Sequence, residues 1–173
     1  MFRDLIRKRR SIRAYGMTPV SDEEERLLVE AALLAPTAKN RASVELITIR
    51  DKAKLAELAD IKAQGGVFLK DADLGILVLG NTALAPDQFI QDTAIAATYI
   101  LLQAEDLNLG ACWVNFRGLK DKDGAPAEAA VRRTLGVPDD YSAECVIAVG
   151  EKNQIPGEKR GRQVSDFVHS ESF

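Results

Sequence analysis

QFIQDTAIAATYILLQAEDL, residues 88–107, decides how this chain folds. Ile90, Ala94, Ile95, Ala97, Ile100, Leu101, Leu102 and Ala104 leave the stretch little polar face, and a helix apolar all round is a buried one. Its alanines let neighbouring backbones come close. A small domain has difficulty wrapping a helix on every side. The reading is therefore a central helix with one side covered by a second subunit; a central helix inside a monomer is the alternative.

Outward from this helix, helices alternate with strands. Gly110 is placed as the left-handed residue that ends it, and Ala111–Phe116 follows as a strand or strand edge. Upstream, Asp73–Gly80 (DLGILVLG) is a short run of branched apolar residues, the pattern of a strand buried on both faces. Val44–Arg50 reads as another strand. Asp51 then caps a helix carrying Leu55, Leu58 and Ala59 inward, and Gly65-Gly66 breaks the chain. Ser21 and Glu24 have the spacing of a capping box, and the acids Asp22 to Glu25 suit a helix N-terminus. Leu27, Leu28, Ala31, Leu34 and Ala35 continue that helix at helical spacing until Pro36. Asp4–Arg10 is a short helix of its own.

Downstream, Pro126 is placed at the first position of a helix that runs to Leu135 and stops at Gly136. Pro138-Asp139-Asp140 is a turn, and Glu144–Val149 is a further buried strand. Residues 151–173 form a polar arm lying over something else. The alternation gives an α/β pattern with about four short strands in one domain, residues 1–173. It does not specify strand order.

The 173 residues carry 23 Lys and Arg against 26 Asp and Glu, a net charge of −3. That balance argues against a general nucleic-acid binder. No apolar run is long enough to span a bilayer, and no stretch near Met1 has signal-peptide character; the expectation is a cytoplasmic protein without membrane or nucleic-acid partners. Cys112 and Cys145 read as reduced, buried thiols, with no metal-ligand spacing.

Catalytic side chains are scarce. His169 is the sole histidine and lies in the arm. HExxH, P-loop, GxGxxG and GxSxG motifs are absent. An enzyme so equipped takes its reactivity from a cofactor. The positive charge is unevenly placed. Arg3, Arg7, Lys8, Arg9, Arg10 and Arg13 face one acid, Asp4, in the first 13 residues, and Lys159, Arg160 and Arg162 form a second group. Arg9, Arg10, Ser11 and Arg13 leave a helix end together. Guanidinium groups grip phosphate bidentately, with a serine hydroxyl adding a neutral bond. A solvated basic face is the plainer reading of the charge.

The order of motifs resembles the nitroreductase family. Arg9-Arg10-Ser11-Ile12-Arg13-Ala14-Tyr15 is similar to its first signature, and Ala35-Pro36-Thr37-Ala38-Lys39-Asn40 to its second. Asp92–Ala97 running into Leu109–Val114 resembles its central helix and next strand. Leu135–Pro138, Val146–Gly150 and Arg160-Gly161-Arg162 match its later elements. The likeness covers nearly the whole chain.

The resemblance implies a homodimeric α+β fold of three layers, a central mainly antiparallel sheet flanked by helices. It places two FMN sites at the subunit interface, with the arm crossing to the partner. Arg9, Arg10, Ser11 and Arg13, with Arg160 and Arg162, would hold the FMN phosphate and ribityl chain. Pro36, Thr37, Ala38 and Asn40 would reach the flavin of the other subunit. Trp113, Val114 and Asn115 would line the ring, partly through backbone groups, and Gln64 and Gly65 its pyrimidine edge. The implied activity is transfer of reducing equivalents from NAD(P)H through FMN to nitroaromatic, quinone or related small acceptors, in a ping-pong cycle. No side chain is assigned a catalytic role and no metal is expected. The chain departs from the family after Asn40, where Ala42-Ser43-Val44 stands in place of Gln-Pro-Trp. A flavin-storage protein with little turnover is therefore an alternative, and a basic-ended interaction protein without cofactor a more distant one.

Overall fold

The computed structural model describes residues 1–157 and 161–173. Its sheet is built around β4 (Tyr141–Glu151), which pairs with β2 (Leu74–Asn81) on one side and β3 (Leu109–Asn115) on the other. β1 (Val44–Ile49) completes the order β1-β2-β4-β3, and every pair is antiparallel. All of β2 is buried, as its apolar run predicts. Such runs are commonest in parallel sheets. Here helices cover both faces of an antiparallel sheet, so the same pattern arises with the opposite strand direction.

α3 (Lys52–Ile61) and α5 (Ala127–Leu135) cover one face. Leu55, Leu58 and Val131 join Leu77, Leu79, Val146 and Ala148 in the core there. α2 (Asp22–Leu33) and α4 (Phe89–Asp106) cover the other, where Leu28, Ala32, Ala97 and Ile100 join Ile76, Val78, Ile147 and Val149. α1 (Phe2–Lys8) lies against α4 and starts two residues before its expected position. The capping box forms as read: Ser21 accepts from the Glu24 N–H, and the Glu24 carboxylate accepts from the Ser21 N–H at 2.7 Å. Such a cap stabilises a helix by about 1 kcal/mol.

Within one protomer α4 is open on one side, the side left to a second subunit by the sequence reading: Gln91, Thr98 and Tyr99 are exposed, and Ile95 and Leu102 are half-buried beside them. One reading beside the central helix is corrected: the left-handed residue after α4 is Asn108 (φ 58°), not Gly110. Gly110 already lies in β3, directly opposite Gly150 of β4. A Cβ on Gly110 would stand 2.7 Å from Ile12, and one on Gly150 2.9 Å from Tyr15. The paired glycines thus let residues 12–15 lie flat across the sheet. Pro126 precedes α5 as its cap rather than opening it, and β4 is longer than expected at both ends.

β4 carries one irregularity. Val78 faces Cys145 while Leu79 faces Ala143, so Glu144 is an extra residue. A bulge of this kind bends its strand and re-aims side chains. The Glu144 carboxylate receives the Arg117 guanidinium, and its carbonyl accepts from the N–H groups of Phe116 and Arg117, both at 3.1 Å. The bulge thereby holds the chain just beyond β3.

Candidate functional site

β3 is an edge strand, and its outer edge organises the site. Ser11 forms a parallel bridge with Ala111, and the Ile12 N–H donates to the Ala111 carbonyl at 3.0 Å. Side chains and backbone groups alternate along a strand, so Trp113 and Asn115 turn their backbone groups to the same edge as Ala111. Among the described residues no strand pairs with that edge beyond Ala111. The Trp113 indole donates to the Asn115 side-chain oxygen at 3.3 Å, and the Asn115 amide donates to the Arg117 carbonyl at 2.9 Å. Val114 points the other way, into the core.

Residues 10–16 are clasped by the chain that leaves β4. The Arg10 guanidinium donates to the Gly157 carbonyl. The Arg13 N–H donates to the Gln154 side-chain oxygen at 2.8 Å, and the Asn153 N–H to the Ala14 carbonyl at 3.1 Å. Half-buried Tyr15 anchors the segment by donating to the Ile12 carbonyl at 3.0 Å, with the Ala148 carbonyl at 3.3 Å. Arg9, Arg10 and Ser11 are half-buried and Arg13 is exposed. None of these three arginines forms an ion pair with a described carboxylate. Their field reaches Cys112: burial raises that thiol above its ordinary range, while Arg13, a hydrogen bond from Ser11 and Arg9 pull the other way.

The loop after α3 closes this corner. The Arg13 guanidinium lies 5.6 Å from the centre of the Phe68 ring, and the Lys62 ammonium 5.9 Å from that of Phe116, the residue after β3. Exposed Gln64 and Gly65 sit on the same loop, between Lys62 and Phe68, with Gly65 left-handed at φ 74°. Partial burial lowers the Lys62 pKa. Arg9–Arg13, the 62–68 loop and β3 therefore converge.

Pro36, Thr37, Ala38 and Asn40 lie elsewhere, ahead of β1 at the opposite edge of the sheet. Four strands spaced about 4.8 Å apart put the two edges roughly 14 Å from each other. This second group forms a tight turn. Lys39, Asn40 and Ala42 all have positive φ, at 54°, 54° and 49°. The buried Asp92 carboxylate in the first turn of α4 accepts from the Ala38 N–H at 2.8 Å and from the Ser43 hydroxyl at 2.5 Å.

Arg162 stacks on Phe167 at 4.9 Å within the exposed arm, and no described contact joins it to the N-terminal arginines. Arg160 lies outside the described residues. His169 is exposed and rests on Phe173. Cys112 and Cys145 are free and buried.

The Nitroreductase family model matches residues 6–151. The chain belongs to the nitroreductase family. An FMN-dependent nitroreductase from Clostridium difficile R20291 is 38% identical, with a TM-score of 0.89 over 98% of each chain. A structure from Desulfovibrio desulfuricans solved in complex with FMN is 28% identical, with a TM-score of 0.81 over 98% of this chain and 96% of that one. A protein of Methanothermobacter thermautotrophicus, whose name joins NADH dehydrogenase and NAD(P)H nitroreductase, is 30% identical over 98% of this chain and 86% of its own length. The antiparallel sheet between helical layers is the fold of these nitroreductase structures.

Sequence reasoning did not single out Lys62, Phe68, Gln154, or the role of Asp92 in this nitroreductase. Asp92 carried the one available signal, a carboxylate at the start of the most apolar helix. Gln154 carried none, since its partner is 141 positions away.

Proposed function

We propose that the protein is an FMN-dependent NAD(P)H oxidoreductase, active as a homodimer, that reduces nitroaromatic, quinone or related small acceptors in a ping-pong cycle. One observation carries the reading: Arg9, Arg10 and Arg13, without described carboxylate partners, stand beside a strand edge that no described strand pairs with beyond Ala111. Unneutralised guanidinium groups with a neighbouring hydroxyl suit a dianionic phosphate. An open strand edge suits the polar rim of a flat heterocycle.

Bound FMN would supply reversible electron transfer, which this chain's side chains lack. The protein's own residues bind and orient. In this reading Arg9, Arg10, Ser11 and Arg13 take the phosphate and ribityl chain, joined by Arg160 and Arg162 once the arm beyond Gly157 is seated across the partner; the start of the arm, from Glu151 to Gly157, stays with its own protomer. Trp113 and Asn115 offer the edge of β3 to the ring, while Val114 between them is turned into the core, and Gln64 and Gly65 border its pyrimidine end. The positive field of this group, with Arg13 steadied over Phe68, also favours the negative charge that reduction brings to the flavin. Pro36, Thr37, Ala38 and Asn40 come from the other protomer. Their place at the far edge of the sheet, and the exposed Thr98–Tyr99 side of α4, support a site shared by two chains. The names of relatives that carry FMN or NAD(P)H support the same cofactor and donor. No described helix is long and apolar enough to cross a membrane.

Absorbance of the purified protein tests the reading. The expected spectrum has flavin bands that NADH or NADPH bleaches and an added quinone restores. Colourless protein that takes up no added FMN overturns it.

A further inference from the structure

We infer that Asp92 is a positioning residue for the flavin site, holding the Thr37–Ser43 turn in the shape that presents Thr37 and Asn40. The inference rests on reading that turn as a flavin contact.

The turn is unfavourable in isolation. A left-handed backbone crowds the Cβ of any L-residue, and only glycine, with asparagine and aspartate less so, visits it readily. Here Lys39 and Ala42 adopt it as well as Asn40. Something outside the turn has to hold it. Thr37 Oγ1 accepts from the Ala42 N–H at 3.0 Å, and the Arg41 guanidinium donates to the Leu84 carbonyl at 2.9 Å, but both bonds are exposed to water. Asp92 is 2% exposed and grips the turn at both ends, through Ala38 and Ser43.

A carboxylate fits this task because it only accepts hydrogen bonds, so it can take a backbone N–H and a hydroxyl proton together. Among the described residues no lysine or arginine forms an ion pair with Asp92. Its charge is met by these two donors and by the N-terminal field of α4. The frame around it is firm: Ser43 is buried, and its carbonyl accepts from the Asn81 N–H at 2.8 Å. Loss of the carboxylate therefore frees residues 38–42 while leaving the start of β1 in place. Lys39, Asn40 and Ala42 then relax toward ordinary backbone angles and carry Asn40 away from its presented position.

Exposed Lys39 and Arg41 are trypsin sites inside the turn, so its order can be read without any flavin. In Asp92→Asn, the apoprotein should be cut after Lys39 or Arg41 roughly tenfold faster than wild type, with cutting elsewhere unchanged. Its FMN dissociation constant should rise by about tenfold, the effect of losing one charge-assisted bond. FMN should protect the turn in the wild type. Should Asp92→Asn fail to fold, Ser43→Ala removes one of the two donors and carries the same comparison. Unchanged cutting, or faster cutting with unchanged FMN affinity, overturns the inference alone. Wild-type protein that binds no FMN overturns the flavin reading and this inference with it, whatever the trypsin pattern.

Discussion

The guanidinium of Arg13 rests on the ring of Phe68, 5.6 Å from its centre, although the two residues belong to separate segments. Arg13 thus has a fixed position without a carboxylate that would cancel its charge. Arg13→Ala should weaken FMN binding by about 1.5–3 kcal/mol, the range for a hydrogen bond to a charged group. Phe68→Leu keeps the arginine and loses the ring, and should cost only about 0.5–1 kcal/mol. Isothermal titration of the apoprotein gives both values, and equal losses would mean that the stack, not the charge, matters.

The exposed side of α4 should be a subunit contact. Tyr99→Asp, or Thr98→Arg, places a charge on a surface that association would bury. Sedimentation is expected to show a monomer in place of a dimer, with FMN affinity lost in parallel because the proposed site draws on both chains. A variant that stays dimeric and keeps its flavin would place the contact elsewhere.

Glu144 sits at the bulge of β4 with its side chain 6% exposed, and Arg117 is its partner. Arg117→Met leaves a buried carboxylate unpaired. The cost in urea unfolding should be about 2 kcal/mol, below that of a fully buried pair because Arg117 itself is 31% exposed. Adding Glu144→Gln should recover part of it, since two neutral groups carry less desolvation penalty than one lone charge.

Burial raises the pKa of the Cys112 thiol, and raises that of Cys145 further. Native protein at pH 8 should therefore react slowly with a disulfide reagent and quickly once unfolded. The sign of the stability effect follows. Above the ordinary thiol range the unfolded chain releases protons that the native chain keeps, so stability falls as pH rises. Arg13→Ala removes a charge that opposes the shift at Cys112 and should slow its native labelling further.

Local chemistry made parts of this fold legible in the sequence. The Ser21–Glu24 box, the Asp51 cap and the buried run of β2 depend on neighbours within a few positions, and all three stand as read. Gly110 was misplaced for the opposite reason. Its lack of a side chain answers to Ile12, nearly a hundred positions earlier, and not to the helix just before it. Strand direction was hidden because a strand covered on both faces has the same composition in either sense. The first signature could be read because its arginines are adjacent in the chain. Asp92 could not, because its partners Ala38 and Ser43 are 54 and 49 positions away.

The clasp between residues 10–16 and the chain leaving β4 sets a timetable for synthesis. Arg10 waits for a partner 147 positions later, and Arg13 for one 141 positions later. A ribosome paused before residue 150 would carry α1, α2, β1 and β2, but the basic segment would have nothing to fasten it. The nascent protein should therefore be unable to capture FMN until translation has passed Gly157, and flavin insertion should follow, not guide, assembly of the sheet.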